Sequence, residues 1–83
     1  VKKFKGKIGL VAGSGQMPVL VAEEAISRHP EGVAGVFAVC VTDEAFRRLK
    51  DRIHVERVSL GQAGRAIKLL KNNGAKYCVF AGK

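Results

Sequence analysis

Apolar positions in this chain fall into two alternating patterns: short continuous runs, and stretches where they recur every three or four residues. "KIGLVAG" opens with a run from Lys7 to Ala12 bounded by glycine, which predicts a short buried strand. From Met17 to Arg28 the apolar residues Met17, Val21 and Ala25, with Ala22 and Ile26 beside them, share one face at helical spacing. Glu23, Glu24, Ser27 and Arg28 take the other face, and Glu24 and Arg28 stand four apart for an ion pair. His29-Pro30 ends that helix, because the residue before a proline avoids helical angles.

A second strand is predicted over Val36 to Val41, apolar throughout as a strand covered on both faces should be. Thr42 fits the N-cap of a short helix that turns Phe46, Leu49 and Ile53 inward. His54 to Val58 makes a weaker third strand. Ser59 begins a third helix with Leu60, Ala63, Ile67 and Leu70 on one stripe, and Asn73-Gly74 stops it with residues that tolerate a left-handed turn. "KYCVFAG" is the fourth strand.

Strand and helix therefore alternate as β-α-β-α-β-α-β. That order implies an α/β fold with a parallel sheet between two helix layers. The expected strand order is 3-2-1-4, a Rossmann-like half of a doubly wound α/β/α sheet. Residues 1–83 form one domain, and a sequence that stops just after its fourth strand reads as the N-terminal piece of something longer.

Composition narrows the function classes. Eighty-three residues, 47% hydrophobic and 27% charged, suit a small globular domain, which at this size buries only about 60% of its unfolded surface. The longest apolar stretch, "VAGVFAVCV", falls short of the roughly 18 residues a membrane span needs. "VKKFKGK" is followed by an apolar run that glycines break, unlike a signal peptide, so a cytoplasmic location is expected. A net charge of +8 suggests nucleic acid at first sight, but Lys2, Lys3, Lys5 and Lys7 cluster in a lead-in and the other basic residues scatter over the helices. The five aromatic residues do not interleave with them as a stacking platform requires, so no nucleic-acid partner is expected. Cys40 and Cys78, each within an apolar run, read as two buried thiols rather than a disulfide, and with only His29 and His54 to join them no metal site is expected.

Candidate chemistry gathers beyond the carboxyl ends of the strands, where open parallel sheets bind ligands. The segments expected there are "GSGQMP" (Gly13, Ser14, Gly15, Gln16, then Met17 and Pro18), "SLGQAG" (Ser59, Leu60, Gly61, Gln62, Ala63, Gly64) and the closing Ala81, Gly82 and Lys83. Glycine turns there let backbone amides and helix N-termini approach an anion. Each segment also has a purely structural reading. Gly13 and Gly15 ease a tight strand-to-helix turn, Pro18 suits a first helical turn, and Ser59 and Gln62 have capping-box spacing. Gly61 and Gly64 would allow close helix-to-sheet packing, and Lys83 would be a solvated end. Dinucleotide binding fits poorly, since Pro18 takes the place of the last glycine in G-x-G-x-x-G, and Asp43 follows 25 residues later in a helix's first turn. No nucleophile triad or pair of carboxylates is present at that edge, so catalysis by this segment alone is not expected.

Taken together, "IGLVAGSGQMPVLVAEEA", "VSLGQAGRAIKLLKNNGAK" and "VFAGK" resemble the N-terminal domain of the two-domain bacterial UDP-2,3-diacylglucosamine pyrophosphatases of lipid A biosynthesis. Gly13, Gly15, Pro18, Leu60, Gly61, Gln62, Gly64, Ala81, Gly82 and Lys83 match that family's pattern, and Arg65 stands where it has lysine. The resemblance implies hydrolysis of UDP-2,3-diacylglucosamine to lipid X and UMP with Mg2+ or another divalent metal. It implies a substrate held between this domain and a C-terminal one that carries the key aspartate. This domain would then supply part of one cleft wall, with Lys83 or Arg65 favouring the diphosphate. A lipid substrate also implies peripheral contact with the inner face of the inner membrane, and an exposed edge strand points to self-association. A generic nucleotide or sugar-phosphate binding domain and a non-enzymatic interaction module remain the alternatives.

Overall fold

A computed structural model describes residues 6–59 and 61–82. Leu60 and Lys83, together with Lys2, Lys3 and Lys5 of the basic lead-in and the side chain of Ala63, lie outside the described residues. The elements are β1 (Lys7–Ala12), α1 (Met17–Arg28), a 3-10 turn (Gly32–Gly35), β2 (Val36–Cys40), α2 (Asp43–Leu49), β3 (His54–Arg57), α3 (Ala63–Asn72) and β4 (Ala75–Ala81). All four strands run parallel in the order β3-β2-β1-β4, as the alternation predicts. No helix among the described residues is long and apolar enough to cross a membrane.

The side-chain period of two sorts the sheet into two faces. Ile8, Leu10 and Ala12 of β1 and Val36, Ala38 and Cys40 of β2 point toward α1 and α2, where they meet Ala22, Ala45 and Leu49. Phe37 and Val39 point the other way, where Ala66 and Leu70 of α3 cover them together with Val58. β2 is buried at every position, which is why its run has no polar break. Leu10 and Leu49 are almost wholly enclosed, each contributing about 2 kcal/mol of apolar burial.

Helix ends follow local chemistry. Thr42 Oγ1 accepts from the Ala45 N–H at 3.1 Å, and Asp43 and Glu44 occupy the first turn of α2. His29 leaves the helical region and closes α1, and Gly74, at φ +80°, closes α3. The Glu24–Arg28 pair forms on the exposed face of α1.

Five expectations need correction. Met17 is 56% exposed, and α1 instead buries Pro18 and Ala22. The third helix starts at Ala63 rather than Ser59, because Gly61 is a poor helix former and the Gln62 N–H turns back to the Ser59 carbonyl. That later start leaves Ile67 55% exposed, with Ala66 and Leu70 on the buried stripe. Cys78 is exposed, unlike Cys40, because β4 is an edge strand flanked by β1 alone among the described residues. The two strand ends are also one residue short: β2 stops at Cys40 and β3 at Arg57, although Val41 and Val58 each still donate a bond to the neighbouring strand at 2.9 Å.

Candidate functional site at the carboxyl edge of the sheet

Beyond the carboxyl ends of β1 and β4, two of the glycine segments touch. The Gly13 N–H donates to the Ala81 carbonyl at 2.8 Å, extending the β1–β4 pairing into the loop. Gly82, at φ +94°, lies so near that a Cβ there would stand 2.7 Å from both Gly13 C and Ser14 O. Only glycine fits that approach. Gly15 has φ +97° with open space around its Cα, so its turn demands glycine for conformation and not for packing.

The Ser59–Gly64 segment sits at the same edge on the α3 face. The Gln62 N–H donates to the Ser59 carbonyl at 2.9 Å, and Gln62 Oε1 accepts from the Ser59 N–H at 3.2 Å. This is the reach-back half of a capping box. Because α3 starts at Ala63 and not at Ser59, it pins a turn and Gln62 becomes the N-cap. A Cβ at Gly61 or Gly64 would meet nothing within 4 Å, so the close-packing reading of these two glycines is overturned: α3 contacts the sheet further along, through Ala66 and Leu70.

The three helices that start at this edge differ in how their N-terminal amides are satisfied. α2 closes its own end with Thr42 and adds two acids. α1 and α3 have no side-chain cap, at Gln16 and Gln62 respectively, and no acid in the first turn. Their positive dipole ends thus face the edge without a built-in anion. α1 also carries buried Pro18 in its first turn, where the missing N–H is harmless. All seven acidic residues lie between Glu23 and Glu56, and every charged residue from Val58 to Lys83 is basic.

The structure adds residues that motif reading passes over. Val11, Val41, Ala66, Ile67, Leu70 and Phe80 join Ser59 and Gln62 around a mostly apolar groove of about 330 Å³. Phe80 immediately precedes the third glycine segment and Val11 precedes the first with only Ala12 between, so the apolar residues leading into these turns are the signal that could have found them. At the neighbouring strand end, Arg57 Nε donates to Asp43 Oδ1 at 3.0 Å and Nη1 donates to the Val58 carbonyl at 2.5 Å. The acid nearest the edge is therefore already paired with a guanidinium. Cys40 lies buried below it, and burial pushes its thiol up to about 11 although Arg57 pulls the other way. It is a neutral packing group, not a nucleophile.

A divalent metal does not fit the residues at hand. Among the described residues no three His, Cys, Asp or Glu side chains gather to hold one, and Asp43 is committed to Arg57. What the edge does offer is glycine backbone, two uncapped helix ends, the Gln62 turn and an apolar groove beside them. Such a set can bind an anionic group with an apolar neighbour.

Comparison with curated proteins and with solved structures gives no match. The family model of the LpxI N-terminal domain matches residues 7–83, a stretch that contains all three glycine segments and the whole sheet. The chain therefore belongs to the LpxI N-terminal domain family, which connects it with lipid A biosynthesis.

Proposed function

We propose that this domain is one wall of the substrate cleft of a UDP-2,3-diacylglucosamine pyrophosphatase, binding the sugar-nucleotide diphosphate and leaving catalysis to a second domain. One observation carries the reading. α1 and α3 open without a capping side chain at the edge where Gly13–Gln16, Ser59–Gly64 and Ala81–Gly82 lie, whereas α2 caps itself. Gly13, Ser14, Gly15 and Gln16 would present backbone amides, and Gly61, Gln62 and Gly64 would present the start of α3. Leu60 and Lys83, from the same segments, complete the proposed set. The divalent metal that pyrophosphate hydrolysis uses would be held by the second domain, since the described residues here make no site for it.

The test is titration of a two-domain protein carrying Gly15→Ala, Gln62→Ala or Thr42→Ala with lipid X. The first two should weaken binding about tenfold, a loss of about 1.4 kcal/mol. Thr42→Ala should leave affinity unchanged, because the α2 end is already satisfied by its own side chain. Unchanged affinity and turnover in Gly15→Ala and Gln62→Ala, with native far-UV circular dichroism, would leave these segments a structural role only.

A further inference from the structure

Three arginine ion pairs among the described residues, Glu24–Arg28, Glu44–Arg48 and Glu23–Arg52, join side chain to side chain on the surface, where such pairs contribute little. The pair made by Arg57 is different. Arg57 is the last residue of β3 and pairs in register with Cys40, so it faces the α2 side, where its Nε donates to Asp43 Oδ1 at 3.0 Å. Its Nη1 turns back to the chain, donating to the Val58 carbonyl at 2.5 Å and more weakly to the Cys40 carbonyl at 3.5 Å. The Cys40 carbonyl also accepts from the Val58 N–H at 2.9 Å, so Arg57 grips the last rung between the second and third strands.

The Val58–Ser59 peptide is held from its other side as well. Its carbonyl accepts from Arg57, and its N–H donates to Gln62 Oε1 at 3.2 Å. In a trans peptide these two groups point in opposite directions, so the guanidinium and the Gln62 side chain clamp one plane between them. A cation on the carbonyl polarises the peptide and strengthens its N–H as a donor. Gln62 in turn stands at the N-cap of α3, whose open end faces the carboxyl edge.

We infer that Arg57 is a positioning residue for ligand binding: held by Asp43, it fixes the Val58–Ser59 peptide and, through it, the side chain of Gln62. The inference rests on the proposal that Gln62 binds in the cleft. Asp43 compensates the charge of Arg57, so the guanidinium orients the turn without itself meeting the ligand.

Titration of the two-domain protein with lipid X tests this in Arg57→Ala, Gln62→Ala and the double variant. Arg57→Ala should raise the dissociation constant about fivefold, roughly 1 kcal/mol. KM should rise by a similar factor with kcat unchanged, as loss of uniform binding does. The double variant should bind no worse than Gln62→Ala, since Arg57 acts through that side chain. Arg57→Lys, a point charge that serves Asp43 or the carbonyl but not both, should weaken binding about twofold. Parental affinity in Arg57→Ala beside weak binding in Gln62→Ala overturns the inference and leaves the cleft proposal standing. Losses that add in the double variant, or a fall in kcat at constant KM, do the same. Parental affinity in Gln62→Ala overturns both.

Discussion

Replacing Gly35 with alanine should unlock the amino-terminal side of the sheet through one side chain, His29. An alanine Cβ at position 35 would stand 2.0 Å from His29 Nδ1 and 2.1 Å from Cε1, far inside contact distance. The ring cannot simply swing away. Its Nε2 lies 2.8 Å from the Gly6 carbonyl, and its Nδ1 accepts from the Glu31 N–H at 3.0 Å, tying α1 to the start of β1 and to the turn before β2. Expelling the ring would forfeit two hydrogen bonds at about 1 kcal/mol each, and holding it in place would cost about 1–3 kcal/mol of overpacking. Gly35→Ala should therefore lose about 2–4 kcal/mol from a domain whose whole stability is about 4–12 kcal/mol at this length. His29→Ala alone should cost about 2 kcal/mol through its two unsatisfied partners. In the double variant the clash no longer exists, so its cost should match that of His29→Ala. Urea denaturation followed by circular dichroism measures all three, and the cycle should show a coupling of about 2–4 kcal/mol, far from additive. Additive losses, or a Gly35→Ala variant within about 0.5 kcal/mol of the parent, would refute this account of the junction.

The two thiols should separate by reactivity: in the native chain iodoacetamide should label exposed Cys78 and spare Cys40, with mass spectrometry counting one adduct. Cys40 also sets an alkaline limit. With its folded pKa raised to about 11, the unfolded thiol loses its proton first, so stability should fall as pH rises from about 9 to about 11. The loss is on the order of 2 kcal/mol, and denaturation of Cys40→Ala should no longer show it. Thr42→Ala should cost about 1 kcal/mol by urea denaturation, since it orphans the Ala45 N–H at the start of α2.

The architecture was legible because its signals are local. Continuous apolar runs and runs spaced by three or four mark strands and helices within a few residues of chain, and glycine or proline marks where each ends. Given β-α alternation, handedness and short connections leave few strand orders, and 3-2-1-4 is the one observed. The meeting of Gly13–Ser14 with Ala81–Gly82 was legible by the same route, since a β1–β4 neighbourhood brings those two ends together. The groove between α3 and β4 was not itself legible, because its walls come from β1, α3, β4 and the loops after β2 and β3, which only the assembled layers bring together.

By itself, the sequence determined the element order, the parallel sheet, the helix stops at His29 and Gly74, and the family to which the three glycine segments belong. Only the tertiary structure decided what each apolar side chain touches. Helical spacing states that Met17 and Ile67 share faces with buried residues, but not the rotation at which α1 and α3 settle on the sheet, which leaves both more than half exposed. Likewise "YCVFA" reads the same inside a sheet or at its edge. Burial of a strand is set by how many neighbours cover it, and that is a property of the assembled layers, not of the strand.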